Sequence, residues 1–195
     1  MKIYCATTNA GKFREFREII DYFGQSRVVL GTVDGLESLP PCEESGLTFE
    51  ENAARKAAYY SHHGPGLLFA DDSGLVVDAL HGAPGVFSAR FAGNGAGDAA
   101  NNSLLLERLR GVEDRGARFV CAIAVAERGH ALATFRGEVE GRIIDQPRGG
   151  NGFGYDPLFF YEPYGCTFGE ATPEQKTMVS HRSRAVGQMV RWLLR

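Results

Sequence analysis

The sequence has little that would tie it to a membrane, an oxidising compartment or a nucleic acid. Its four cysteines, Cys5, Cys42, Cys121 and Cys166, are scattered, and no two stand at CxxC spacing. That pattern excludes a disulfide framework and gives no support to a zinc site, so free thiols are expected. No run approaches the roughly 18 apolar residues of a membrane span. The opening MKIYCATTNAGK lacks the apolar stretch after a basic one that marks a secretory signal. A cytoplasmic protein with no membrane partner is the expectation. Basic residues are not in excess: 21 Lys and Arg against 24 Asp and Glu give a formal charge of −3. A nucleic-acid partner is therefore not expected, and any phosphate site must be local, built from a few cations and backbone amides. Repeats, low-complexity tracts and linkers are also absent, which points to a single domain over residues 1–195.

What is present is a chain with 44% hydrophobic residues, enough for a sizeable core, and 25 glycines that cluster at 64–66, 82–97 and 149–154. Such clusters suit the loops of an enzyme. Lys2 to Ala6 reads as a short buried strand. After the polar turn from Thr7 to Gly11, Phe13, Phe16, Ile20 and Phe23 recur at helical spacing, with Arg14, Glu15, Arg17, Glu18 and Asp21 on the other face. Thr48 and Glu51 form a capping-box pattern ahead of the helix-favouring ENAARKAA. Leu67 to Ala70 reads as a strand that ends in the polar tip Asp71-Asp72-Ser73-Gly74, with Leu75 to Val77 as a further short strand. Asn101 to Arg110 reads as a helix, and Phe119 to Ala126 as a central buried strand. Ala131 to Ile144 reads as a hairpin turning near Arg136-Gly137 or Gly141. Leu158 to Tyr161 is a short aromatic strand, and a final helix starts near Thr172 or Ser180. Interleaved helices and strands with a strand-rich 115–161 region predict an α/β fold with a mixed sheet.

Four polar loops flank these elements, where an α/β protein places ligand groups. The loop Thr7-Thr8-Asn9-Ala10-Gly11-Lys12 precedes a helix, whose free N–H groups and partial positive charge attract phosphate. It is not a P-loop, because Phe13 follows Lys12 and the first glycine of that motif is missing. Read alone, it is more readily an ordinary cap with an exposed lysine. The acids Glu43-Glu44 and Asp71-Asp72 supply hard oxygen donors for a divalent cation and a carboxylate able to take a proton from water. Read alone, they are also solvated turns. The segment from Asn151 to Pro157 sets Phe153 and Tyr155 among glycines, giving aromatic faces for a base or simply a turn closed onto the core. Lys176, His181 and Arg182 offer cationic partners for phosphate or a base carbonyl, or plain helix charge.

Taken in order, CATTNAGKFREF, EESGLTFEENAARKA, ADDSGLVVDALHGAPGVFSARFAG, NGFGYDPLFF and EQKTMVSHRSRA resemble the inosine triphosphate pyrophosphatase family, also called Ham1-like. The resemblance runs from residue 5 to residue 185, and the segment from Gln25 to Pro41 resembles nothing specific. It implies an elongated mixed β-sheet flanked by helices, two lobes with the active site in the cleft between them, and a homodimer. It implies hydrolysis of dITP, ITP and XTP to the monophosphate and pyrophosphate with Mg²⁺. Carried over by position, Thr7, Thr8, Asn9, Ala10, Gly11 and Lys12 match the phosphate loop. Asp72 matches the catalytic base and a metal ligand, and Glu43, or its neighbour Glu44, the second metal ligand. Ser73, Phe153, Gly154, Tyr155, Asp156, Lys176, His181 and Arg182 match substrate contacts. Thr8 and Ala10 stand at variable family positions, and Asn151 replaces a frequent glycine. Three rival readings are a Maf-like pyrophosphatase for other nucleotides, a nucleotide sensor without turnover, and an RNA-binding module. FGYDP and SHR argue against the first, the acids and Lys12 against the second, and the charge balance against the third.

Overall fold

The computed structural model describes residues 1–195. In chain order its elements are β1 (Lys2–Cys5), α1 (Ala10–Gly24), β2 (Val29–Thr32), α2 (Phe49–Ser61), β3 (Leu68–Val77), α3 (Asp98–Arg108), β4 (Gly116–Glu127), β5 (His130–Ile143), β6 (Phe159–Tyr161), β7 (Cys166–Thr167), α4 (Pro173–Val179) and α5 (His181–Leu193). The strands hydrogen-bond in the order β2-β1-β3-β4-β5-β6-β7. β1 runs parallel to both β2 and β3, and β6 runs antiparallel to β5 and β7. The parallel pairs require crossovers, which α1 and α2 supply. This is the expected α/β class with a mixed sheet. No helix is long and apolar enough to cross a membrane.

The chain divides into two compact units. The first comprises Met1–Asp72, Cys121–Gly137 and His181–Arg195, and the second Ser73–Val120 and Glu138–Ser180. In the first unit, Phe16, Ile19 and Ile20 of α1 and Val186, Met189 and Val190 of α5 are buried in one cluster with Ile3 and Phe69 of the strands. Phe16 meets Phe69 edge-on, with ring centroids 5.2 Å apart at 87°. In the second unit, Leu105 and Leu109 join Leu75, Val77, Phe119 and Phe159 in a separate cluster. Phe119, Phe159 and Phe168 form its aromatic centre, with Phe159 lying 4.5 Å from Phe119 and 5.0 Å from Phe168.

Four local expectations change. β3 does not stop at Ala70 but continues through Asp71, Asp72, Ser73 and Gly74 to Val77 as one strand. Polar composition gives a turn, but both aspartates are buried and charge-paired, so tertiary contacts override the local preference. β5 is also one strand, and the turn before it is Arg128-Gly129, both with positive φ (49° and 85°). Gly137 and Gly141 are there for close approach instead. A Cβ on Gly137 would overlap the His181 carbonyl and lie 2.5 Å from the Ala185 nitrogen, and one on Gly141 would lie 2.5 Å from the Phe160 carbonyl oxygen. At α2, Thr48 accepts the Glu51 N–H, but the Glu51 carboxylate takes the Leu47 N–H, so the reciprocal half of the box shifts by one residue. The terminal helix is two helices: Thr172 and Gln175 cap α4 with a full capping box, and Ser180 ends it before α5 begins.

The close packing of β5 on α5 predicts that Gly137→Ala lowers unfolding free energy by about 1–3 kcal/mol through overpacking. Gly150→Ala, where a Cβ meets nothing within 4 Å, is the control and should stay within about 0.5 kcal/mol of the parent. Urea titration of both variants checks this, and equal stabilities would contradict the close-approach role of Gly137.

Candidate active site

In the first unit, β1 ends where the polar loop begins. Ala6 N donates to Phe69 O at 2.9 Å, after which the chain turns away into α1. Asn9 caps α1, its Oδ1 accepting the Lys12 N–H at 2.9 Å, and Thr7 Oγ1 accepts the Asn9 N–H at 3.2 Å. The amides of Ala10 and Gly11, in the first helical turn, have no partner within the helix and remain as anion donors. Thr7, Thr8, Asn9 and Ala10 line a cavity of about 400 Å³ whose other wall includes Thr32, Asp34 and Glu37.

Because β1 has turned away, β3 carries Asp71 and Asp72 past its last β1 partner. Consecutive strand residues point to opposite faces, and each aspartate meets its own lysine. Lys12 Nζ lies 2.8 Å from Asp71 Oδ2, and Lys56 Nζ of α2 lies 2.9 Å from Asp72 Oδ1. Asn52, one turn before Lys56, donates through Nδ2 to Asp72 Oδ2 at 3.2 Å and accepts the Gly46 N–H through Oδ1 at 2.8 Å. Lys56 also reaches Glu44 Oε1 at 3.3 Å. Glu44 is thus joined to the Asp72 cluster through Lys56, whereas Glu43 is exposed.

The two aspartates are electrostatically different. Burial pushes Asp71 upward, but Lys12, Lys56 and Arg182 overcome it and hold the carboxyl at about 2. Burial also raises Asp72, and there it prevails: Lys56 draws the value down, Glu44 and Asp71 push it up, and the net shift is upward. Lys56 is desolvated but held protonated by Asp72, Asp71 and Glu44. The surroundings therefore separate an acid that stays ionised down to about pH 2, Asp71, from a more basic one, Asp72. At the start of α5, His181 and Arg182 are both buried, and Arg182 Nη1 donates to Glu15 Oε2 of α1 at 3.0 Å.

The second unit holds the remaining candidates. Ser73 is half-buried on β3. Asp156 is buried and organises the glycine-rich loop: its Oδ2 accepts the Phe153 N–H at 2.9 Å and the Lys176 ammonium at 2.5 Å. Lys176 stands 5.2 Å from the centroid of the Phe153 ring and 5.8 Å from that of Phe168. Gly154 has φ +64°, with nothing within 4 Å of a Cβ position. The two loop aromatics differ. Phe153 is half-buried at the loop, whereas the Tyr155 side chain lies in the core and its hydroxyl donates to Ser88 O at 2.8 Å. Burial, with the Asp98 charge, pushes the Tyr155 hydroxyl well above its ordinary range, so it stays protonated.

The Ham1 family profile matches residues 3–192. The chain belongs to the Ham1 family. Among its relatives, a protein of Oceanobacillus iheyensis named dITP/XTP pyrophosphatase is 43% identical over 194 residues, covering 98% of each chain. One from Geobacter sulfurreducens with the same name is 48% identical over 187 residues, covering 95% of this chain and 92% of the relative. Among solved structures, a HAM1 protein from Coxiella burnetii superposes with a TM-score of 0.87 at 38% identity, covering 100% of this chain and 98% of that one.

Sequence reasoning missed Lys56 and Asn52. Both lie within ENAARKAA, which reads as plain helix, and their signal was the four-residue spacing that puts an amide and a cation on one face of α2. It also gave Asp71 no role apart from Asp72.

The depressed Asp71 value makes stability depend on pH. A carboxyl lower in the folded than in the unfolded chain contributes fully above its unfolded value and loses that contribution as pH falls through the folded one. Stability should therefore drop by roughly 2 kcal/mol between pH 4 and pH 2 from this group. Asp71→Asn should lower stability at pH 5 and flatten the acid-side slope. An unchanged slope in urea titrations at pH 5, 4 and 3 would contradict the assignment.

Proposed function

We propose that this Ham1-family chain hydrolyses non-standard purine nucleoside triphosphates (dITP, ITP and XTP) to the monophosphate and pyrophosphate, cleansing the nucleotide pool. The observation that carries the reading is Asp72, a buried carboxylate on β3 held on both oxygens by Lys56 and Asn52. It stands in a chain whose curated relatives are named dITP/XTP pyrophosphatase. Asp72 takes a proton from the attacking water. The water oxygen bonds to the α-phosphorus, the bond from that phosphorus to the bridging oxygen breaks, and pyrophosphate leaves with the electron pair.

In the first unit, the donors of Thr7, Thr8, Asn9, Ala10 and Gly11, with Lys12, bind the phosphates. Lys12 leaves Asp71 for the phosphate, and Arg182 and Lys56 keep Asp71 ionised meanwhile. His181 and Arg182 supply further donors to the substrate. In the second unit, Phe153 offers a ring face to the base, and Ser73, Gly154, Tyr155, Asp156 and Lys176 complete the substrate contacts, Tyr155 through its backbone. Donors favour a 6-oxo purine over adenine, whose amino group would face them unpaired.

The donor set fits Mg²⁺. Mg²⁺ takes hard oxygen donors, commonly one or two carboxylates together with substrate phosphates, and Asp72 and Glu44 bring carboxylates to the same lysine. Asp72 and Glu43 or Glu44 would hold it, and Glu44 is the one the Lys56 ammonium already links to Asp72. Bound there, Mg²⁺ would neutralise phosphate charge and make a neighbouring water a better nucleophile. The reading also includes a homodimer in the cytoplasm.

The test is pyrophosphate release from dITP, XTP, dGTP, dATP and dTTP with and without Mg²⁺. Release from dITP and XTP only, and only with metal, is expected. Equal turnover of dGTP and dITP, or release of single phosphate, would overturn the reading. Asp72→Asn should lower kcat by at least about 100-fold with nucleotide affinity within a few-fold of the parent, and near-normal turnover would remove Asp72 from the base role.

A further inference from the structure

One face of α3 is built around a single residue of the glycine-rich loop. Asp98 and Asn102 are one helical turn apart, so their side chains share a face. Asp98 Oδ2 accepts the Gly154 N–H at 2.6 Å, and Asn102 Nδ2 donates to the Gly154 carbonyl at 3.1 Å. Both polar backbone groups of Gly154 are thus taken by one helix. On the other side, Asp156 takes the Phe153 N–H at 2.9 Å. The Phe153 backbone is pinned before and after its ring, with Gly154 in the left-handed conformation at φ +64°.

Asn102 does not stand where it does for the sake of the helix. Its Oδ1 is buried and makes no hydrogen bond, so the amide's bond to Gly154 is its single polar contact. A buried acceptor left unpaired is costly, and an apolar side chain of the same shape would avoid that cost. Local stability therefore favours leucine, and the loop contact favours asparagine. Asp98 is exposed, and its carboxylate is spent on the loop amide rather than on a cation.

We infer that Asp98 and Asn102 are positioning residues that fix Phe153 and the Gly154 peptide for the purine base, and so set nucleotide KM without entering the phosphate chemistry. The inference rests on the proposed assignment of Phe153 to the base. Holding a contact residue in its bound geometry before the ligand arrives removes an ordering cost from binding.

The experiment compares Asp98→Ala, Asp98→Asn, Asn102→Leu and Phe153→Ala in steady-state hydrolysis of dITP with Mg²⁺, with inhibition by inorganic pyrophosphate and thermal melting measured on each. Asp98→Ala and Asn102→Leu should raise KM for dITP about five- to tenfold, the range one lost hydrogen bond produces. Their kcat should stay within about twofold and pyrophosphate inhibition should not change, as neither touches the phosphate site. Asp98→Asn keeps an acceptor for the Gly154 N–H and should restore most of the parental KM, which a role confined to helix charge would not allow. Unchanged KM in both Asp98→Ala and Asn102→Leu, or a fall in kcat and pyrophosphate affinity along with KM, would overturn the inference. If Asn102→Leu fails to fold, the Asp98 pair decides alone. Phe153→Ala separates the two levels: an unchanged KM there removes the base assignment itself, whereas a raised KM beside a normal Asp98→Ala removes only the positioning role.

Discussion

Two adjacent carboxylates are buried in the middle of a strand, and two lysines make that possible. An ionised carboxylate without a partner is too costly to place inside a protein. Lys12 and Lys56 come from different helices to different sides of β3, and each neutralises one acid. The end of β1 opens the space beside Asp71, and the start of α1 fills it with a cation. The Thr48 cap fixes where α2 begins and, with it, the height at which Asn52 and Lys56 meet Asp72. The local order of the first unit follows from satisfying this acid pair.

The same pairing differentiates two residues of identical chemistry. Asp71 is surrounded by positive charge and remains an anion down to about pH 2. Asp72 shares its one cation with Glu44 and keeps a net upward shift. An acid that stays charged down to low pH is suited to organising cations, and one closer to its protonation threshold is suited to accepting a proton. The second unit works in another way. Its loop is held by backbone contacts from Asp156, Asp98 and Asn102, and its one buried ion pair, Lys176 with Asp156, places an ammonium beside the Phe153 ring.

Sequence patterning carried the elements whose burial is periodic. Phe16 and Ile20 mark the inner face of α1, and the unbroken apolar run of β4 marks the middle of the sheet. It failed where polar or small residues serve distant partners. Asp-Asp-Ser-Gly has the composition of a turn, and only Lys12, 59 residues away in sequence, and Lys56 make it a strand. Gly137 and Gly141 look like hairpin punctuation until α5 and β6 are placed against them. The candidate site divided along the same line. Loop groups such as Asn9, Lys12 and Phe153 announce themselves by composition. Asn52 and Lys56 are hidden in a helix of ordinary polarity, and Tyr155, which composition offers as a base contact, has its side chain committed to the core.

The period of two along β3 ties alignment to chemistry. A slip of one residue would not merely turn apolar side chains outward, as in most strands. It would turn Asp71 to the Lys56 face and Asp72 to the Lys12 face, exchanging two acids whose surroundings set their basicity differently. Correct threading of this strand and the separation of its two acids are one event, so a misregistered chain would also mismatch each acid with its cation.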